Sequence, residues 1–173
     1  MRLNKSHGPE MIMRAMAILT FLVSLTAFLY RDDQTEYLDS LADVVAANYV
    51  AYRNASWRYV YNNKSVSGEI PTTVNNGVLY IGDVLLINNF HFINDRIWHT
   101  YVNDGVCYIY GALSIKEINA AKAKLKDSYG LGFANNGYLV NNKGGGSIPL
   151  PDYVTQTAVP AGKYLFVSVS NLD

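Results

Sequence analysis

The sequence holds a single cysteine, Cys107, so no internal disulfide can staple the fold. It lies in the apolar run Val106-Cys107-Tyr108-Ile109-Tyr110, which reads as a strand. A buried structural thiol therefore outweighs a reactive or intermolecular one. Histidine is nearly as scarce, with His7, His91 and His99 the three present. Metal binding needs several His, Cys or carboxylate ligands converging on one point, and these stand in the N-terminal tail, between two Phe and beside Trp98. No metal site is expected. Charge is sparse as well. Asp, Glu, Lys and Arg make up 16% of the chain, against ~25% in an average soluble protein. Lys plus Arg and Asp plus Glu balance at 14 each, so no overall field draws the chain to nucleic acid or to an acidic membrane surface.

Catalytic motifs are missing too. His91 and His99 have no Ser or Cys in a recognisable nucleophile elbow, and Cys107 has no basic neighbour in sequence to activate it. Gly130-Leu131-Gly132 begins like a dinucleotide loop, but Asn135 stands where the third Gly belongs and the segment follows a helix instead of opening one. Gly144-Gly145-Gly146 lacks the Lys-Ser or Lys-Thr of a phosphate loop. Asn54-Ala55-Ser56 and Asn63-Lys64-Ser65 match the glycosylation pattern, which is common by chance. Asp32 and Asp33 read as topology or solvation and not as acid–base chemistry. The expectation is of no catalytic, metal-binding or cofactor-binding residue, no cofactor, and no enzyme.

What the sequence does have is one long uncharged run. Residues 15–30, between Arg14 and Arg31, form a stretch of about 16 residues where ~20 would match a bilayer core. Arg14 and Arg31 could snorkel outward and make up part of the deficit. Arg2, Lys5 and Arg14 precede the run, with only Glu10 opposed, and Asp32, Asp33, Glu36, Asp39 and Asp43 follow it. By the positive-inside rule the N-terminus stays in the cytoplasm and the rest is exported. The reading is a cytoplasmic tail at 1–14, a transmembrane helix at 15–30 and a periplasmic α+β domain at 31–173. A cleaved signal peptide or a buried helix is the alternative, although Leu25-Thr26-Ala27 lacks the small residue that cleavage wants two places before the terminal Ala.

Beyond the run, Leu38, Leu41, Val45, Tyr49, Tyr52 and Trp57 recur at helical spacings over residues 34–61. The membrane helix should therefore continue into an amphipathic helix. Asn62-Asn63-Lys64-Ser65 and then Pro71 end it. Short strands are expected at 78–81 and 83–87, the second being open to reading as a buried loop, and residues 88–94 resist assignment. Residues 97–102 and 106–110 flank Asn103-Asp104-Gly105 as a β-hairpin. Ser114-Ile115-Lys116-Glu117 is a capping box that starts a helix to about Ser128. Ile115, Ile118, Ala121 and Leu125 form its apolar face, and Gly130 closes its end. Asn135-Asn136-Gly137 signals a second hairpin, and Pro160-Ala161-Gly162 turns into a terminal strand at 163–169. The fold class is thus α+β: an N-terminal transmembrane helix, an amphipathic helix, then a small antiparallel β-sheet domain with one further helix.

This order of features resembles the PilM family of type IVb (thin) pilus biogenesis proteins, as distinct from the actin-like ATPase of the same name. The likeness rests on the helix carrying Arg53-Asn54-Ala55-Ser56-Trp57, on Trp98 opening a strand and on the paired Tyr108 and Tyr110. Tyr129-Gly130-Leu131-Gly132 and Pro160-Ala161-Gly162 add to it, and the resemblance covers most of the chain from about Ala46. It implies a non-enzymatic accessory protein of pilus assembly in the bacterial inner membrane, single-pass, whose partners are other pilus assembly proteins; whether it oligomerises is left open. The nearest rival is a minor pilin or pseudopilin. Against it, Gly8 is followed by Pro9-Glu10-Met11, and Met13 stands where a pilin resembles Glu. A periplasmic binding module or small enzyme with Trp57, Trp98 and the tyrosines as stacking platforms is a further alternative. The interaction reading predicts that the hairpin aromatics, or the helix face bearing Trp57, stay unburied.

Overall fold

The structure, a computed structural model, describes residues 8–75, 78–82, 84–87, 98–126, 130–141 and 147–171. The chain divides into two compact units, Met1–Leu41 and Ala42–Asp173. Helix α1 (Gly8–Asn62) supplies the described part of the first and opens the second.

In the first unit the described apolar side chains of α1 as far as Leu38 are exposed. Met16, Ile18, Leu19, Phe21, Leu22 and Val23 are all exposed. Thr20 and Thr26 donate their hydroxyls to the carbonyls of Met16 and Leu22, at 2.9 and 3.0 Å, so these polar groups are satisfied within the helix itself. The transmembrane helix expected at 15–30 finds no support here: among the described residues no helix is long and apolar enough to cross a membrane. The uncharged run is also short, and would need Arg14 and Arg31 to reach outward to the headgroups to match a bilayer. An uncharged run of about 16 residues is ~24 Å of helix, against ~30 Å of hydrocarbon.

In the second unit α1 turns one face inward. Ala42, Val45, Ala46, Tyr49, Tyr52, Ser56 and Val60 are buried, at spacings of one, three and four that trace a single helical stripe. Leu38 and Trp57, expected on that stripe, are exposed. Ser56 holds the core position that Trp57 would take only if the helix were rotated by about 100°.

The stripe packs on a seven-stranded sheet. Its strands are β1 (Gly68–Ile70), β5 (Trp98–Asn103), β6 (Val106–Leu113), β7 (Leu131–Asn135), β8 (Tyr138–Val140), β9 (Ile148–Pro149) and β10 (Tyr164–Asn171). Their order is β1-β5-β6-β10-β7-β8-β9 and every pairing is antiparallel. Strands β2 (Thr72–Asn75), β3 (Val78–Ile81) and β4 (Val84–Ile87) form a separate three-stranded antiparallel meander. Side chains alternate across a strand, and both faces of the larger sheet are covered. Trp98, Val102, Cys107, Ile109, Leu113 and Phe166 share one core with α1. Tyr108, Tyr110, Leu139, Leu165 and Val167 share another with Leu150 and Val154, the latter on the short helix α3 (Asp152–Thr155). That double cover is why nearly all of β6 is buried.

The β5–β6 hairpin is as expected. Asp104 and Gly105 both take positive φ, 48° and 73°, the pair a two-residue type I′ turn requires. The β7–β8 hairpin repeats it with Asn136 and Gly137. The capping box of α2 (Ile115–Lys124) is complete, with the Ser114 N–H donating to Glu117 Oε2 at 2.7 Å. Three expectations about the helices need correcting. Ile115 is exposed, whereas Ile118 and Ala121 are buried. The helix stops at Lys124, and Lys126, at φ 52°, takes the left-handed conformation assigned to Gly130. Gly130 is instead needed for close approach, since a Cβ there would run into the Val169 carbonyl. The sheet domain also carries a second short helix, α3, where one further helix was expected. Residues 88–94, 97 and 127–129 lie outside the described residues.

Candidate functional site

Two surfaces of the second unit combine polar and aromatic side chains. The first is on α1, and its orientation follows from what is buried beneath it. Thr100 Oγ1 donates to Ser56 Oγ at 3.0 Å, and Tyr52 Oη lies 3.0 Å from both Thr100 Oγ1 and Thr72 Oγ1. A hydroxyl has one proton, so Tyr52 donates to Thr100 and accepts from Thr72. The relay Thr72–Tyr52–Thr100–Ser56 thereby joins α1 to β2 and β5 with its buried hydroxyls satisfied. Tyr49 adds a donor to the Ile109 carbonyl at 2.9 Å, and its ring meets Trp98 edge-on at 5.1 Å.

With that face fixed inward, Arg53, Asn54, Trp57 and Arg58 line a groove of about 730 Å³ together with Ser170 and Asn171 of β10. Arg53 Nε donates to Ser168 Oγ at 2.6 Å, which holds the guanidinium against the sheet. Trp57 is 39% exposed and stacks on Tyr61 at 5.2 Å and 22°. Lys64 Nζ sits 5.4 Å from the centre of the Tyr61 ring, a cation–π contact.

The second surface is on the opposite face of the sheet. Ile70, Trp98 and Thr100 point to α1, so their neighbours Glu69, His99 and Tyr101 point away. Glu69, His99, Tyr110 and Tyr153 line a cleft of about 420 Å³ with Gln156, Thr157 and Ala158. His99 stacks on its cross-strand neighbour Tyr110 at 5.3 Å, and Tyr101 stacks on Tyr153 at 4.8 Å. The Tyr153 hydroxyl donates to Glu69 Oε2, and His99 Nδ1 lies 3.2 Å from Glu69 Oε1. The Tyr153 bond holds the Glu69 carboxyl below the usual carboxylate range, against the opposing effect of burial and with further help from His99. The same bond raises Tyr153, and burial raises Tyr110. A carboxylate beside an imidazole is part of a hydrolytic triad, but among the described residues neither Ser nor Cys lines this cleft, and Thr157 is hydrogen-bonded to Tyr110. The arrangement clasps α3 to the sheet.

The family model described as PilM matches residues 17–164. The chain belongs to the PilM family. Membership gives it a pilus-related role, in pilus biogenesis and in the company of other pilus assembly proteins. No curated protein and no solved structure matches it.

The residues that carry the PilM likeness separate cleanly by environment. Trp98 is 2% exposed and serves the core. Tyr108 and Tyr110 are buried on the α3 side, so the hairpin aromatics offer little free surface. Trp57 does the opposite, and the helix face that bears it is the one left open. Cys107 is wholly buried, and burial pushes its thiol up to about 12, in line with a structural role. Gly130-Leu131-Gly132 leads into β7 and packs on β10 and β8. Of the histidines, His99 lines the cleft; His7 and His91 lie outside the described residues, as do Gly144-Gly145-Gly146. Sequence reasoning did not find Glu69 or Tyr153 as partners. Their sole signal was Pro151-Asp152 ahead of Tyr153, a helix start too short to show a period.

Proposed function

We propose that this PilM-family chain is a non-enzymatic accessory protein of type IV pilus assembly, held at the bacterial inner membrane by residues 15–30. Its N-terminus is cytoplasmic and its sheet domain periplasmic. It acts by binding other assembly proteins through the α1 face that carries Trp57. The observation that carries this reading is the contrast between the two tryptophans, 2% exposed at Trp98 and 39% at Trp57. An aromatic ring left at the surface of a domain able to bury its other Trp is what interface hot spots are made of. Attachment to the membrane is supported by the exposed apolar side chains from Met16 to Leu25, which water solvates poorly, and by the basic residues that precede them. The absence of catalysis is supported by the burial of Cys107 and by the pairing of Glu69 with Tyr153 and His99.

A minor pilin is the second reading, favoured by one observation: a helix of 55 residues whose C-terminal part packs on an antiparallel sheet. Both readings are tested by the mass and protease sensitivity of the protein in spheroplasts, beside complementation by Trp57→Ala. Full-length mass, external degradation of the domain, and loss of pili with Trp57→Ala at normal protein levels are expected. Cleavage after Gly8 would make the chain a pilin. Removal of the whole apolar run would sink the anchor, and normal piliation with Trp57→Ala would sink the contact face.

A further inference from the structure

The groove beside Trp57 has a charge character as well as an aromatic one. Arg53 and Arg58 both line it, and among the described residues its other lining residues, Asn54, Trp57, Ser170 and Asn171, are uncharged. The hydrogen bonds of Arg53 go to neutral groups, Ser168 Oγ at 2.6 Å and Asn54 Oδ1 at 3.4 Å. Among the described residues neither guanidinium has a carboxylate partner. Lys64 extends the cationic character along the Trp57–Tyr61 stack. The chain as a whole is neutral, so this concentration of positive groups is local.

We infer that the groove receives an acidic segment of a partner protein, one that places a carboxylate on Arg58 and Arg53 and an apolar side chain on the Trp57–Tyr61 stack. The inference rests on the contact reading proposed above and specifies the partner's chemistry. A guanidinium offers a planar fork of N–H donors that matches a carboxylate in two-point fashion. Arg53 is already oriented by Ser168, which lowers the ordering cost of binding. The neighbouring indole supplies the desolvated anchor that a charged contact alone lacks. Neither a basic nor a purely apolar partner would satisfy both halves of this surface.

Two measurements on the full-length chain test it. The first titrates detergent-solubilised protein with a short peptide alternating Asp with Leu, beside versions with Asn or Lys in place of Asp. Acrylamide quenching of tryptophan fluorescence reports on Trp57, because Trp98 is shielded in the core. The Asp peptide should protect Trp57, with affinity falling as salt is added. The Asn and Lys peptides should bind at least about tenfold more weakly, and Arg58→Glu should erase the preference. Equal protection by the Asp and Asn peptides, or none by any, overturns the inference.

The second measurement places a benzophenone-bearing residue at exposed Asn54 in cells and follows crosslinked adducts. Arg58→Glu should abolish the adduct, whereas Arg58→Lys and the control Lys126→Glu, outside the groove, should retain it. An adduct that survives Arg58→Glu unchanged overturns the acidic partner while leaving the contact reading intact. No adduct in any background overturns both.

Discussion

Residues 16–25 and residues 42–60 are both apolar stretches of α1, and they meet opposite fates. In the first, Met16, Ile18, Leu19, Phe21, Leu22, Val23 and Leu25 are exposed; in the second, Val45, Ala46, Tyr49, Tyr52 and Val60 are buried. Hydrophobicity does not separate them, because the first stretch is the more apolar of the two. Arrangement does. Apolar residues in the first stretch point around the whole helix, so a protein surface on one side would leave the others uncovered. In the second they recur on one stripe, with Asp43, Asn54 and Arg58 set on other faces, which is the pattern a sheet can cover. The lesson is that the first stretch suits an environment surrounding the helix, while the second suits a partner lying on one side.

The sharpest test of that contrast is to truncate one large side chain in each stretch. Tyr49 is fully buried, touches Trp98 and Phe166, and bonds to the Ile109 carbonyl. Tyr49→Ala should cost about 3–5 kcal/mol of domain stability in urea denaturation of the full-length chain. Leu22→Ala should cost less than about 0.5 kcal/mol in the same assay. Comparable losses would mean that the exposed stretch is part of the folded core, and the contrast would fail.

A smaller effect is expected where the stretches differ in polar satisfaction. Thr26 bonds to carbonyls of its own helix, whereas Ser56 is the acceptor at the end of the relay from Thr72. Ser56→Ala strands a buried Thr100 proton, at a cost of about 1–3 kcal/mol. Thr26→Ala exchanges a local bond for a better helix former and should be close to neutral. If Ser56→Ala is also neutral in thermal unfolding, the relay does not hold α1 to β5.

The same contrast explains what could be read from the sequence. The strongly local signals came through: both Asx-Gly hairpins, the capping box at Ser114, the terminal strand and the amphipathic period of α1. Each is decided by a few consecutive residues whose backbone requirements are specific. The phase of α1 near its end was misjudged because a Trp is normally worth more buried than a Ser. Here the polar relay reserves position 56 for a hydroxyl, which no local pattern reveals. The cleft was illegible for a related reason. Glu69 and Tyr153 are 84 residues apart in the chain and are joined by tertiary packing, on a three-residue strand and a four-residue helix that are too short to announce themselves.

That cleft offers the finest test, because the face of the sheet opposite α1 is covered partly by charge and not by apolar periodicity alone. Tyr153 first, and His99 second, hold the Glu69 carboxyl below its ordinary range, while the unfolded chain titrates at about 4.3. The folded state thus binds its proton less readily than the unfolded one. The stabilisation is present in full above the unfolded value and is lost as pH falls through the folded one. Glu69 is well exposed, with its side chain 43% accessible, so screening by water keeps the effect small. Other carboxylates also titrate in this range, and the informative quantity is a difference. Between neutral pH and about pH 3 the wild type should lose more thermal stability than Glu69→Gln, and Tyr153→Phe should show an intermediate slope because it removes the larger of the two bonds. Identical slopes in all three would show that α3 is held by Val154 and the stacked tyrosines alone, and that this face, like the one under α1, is an apolar contact after all.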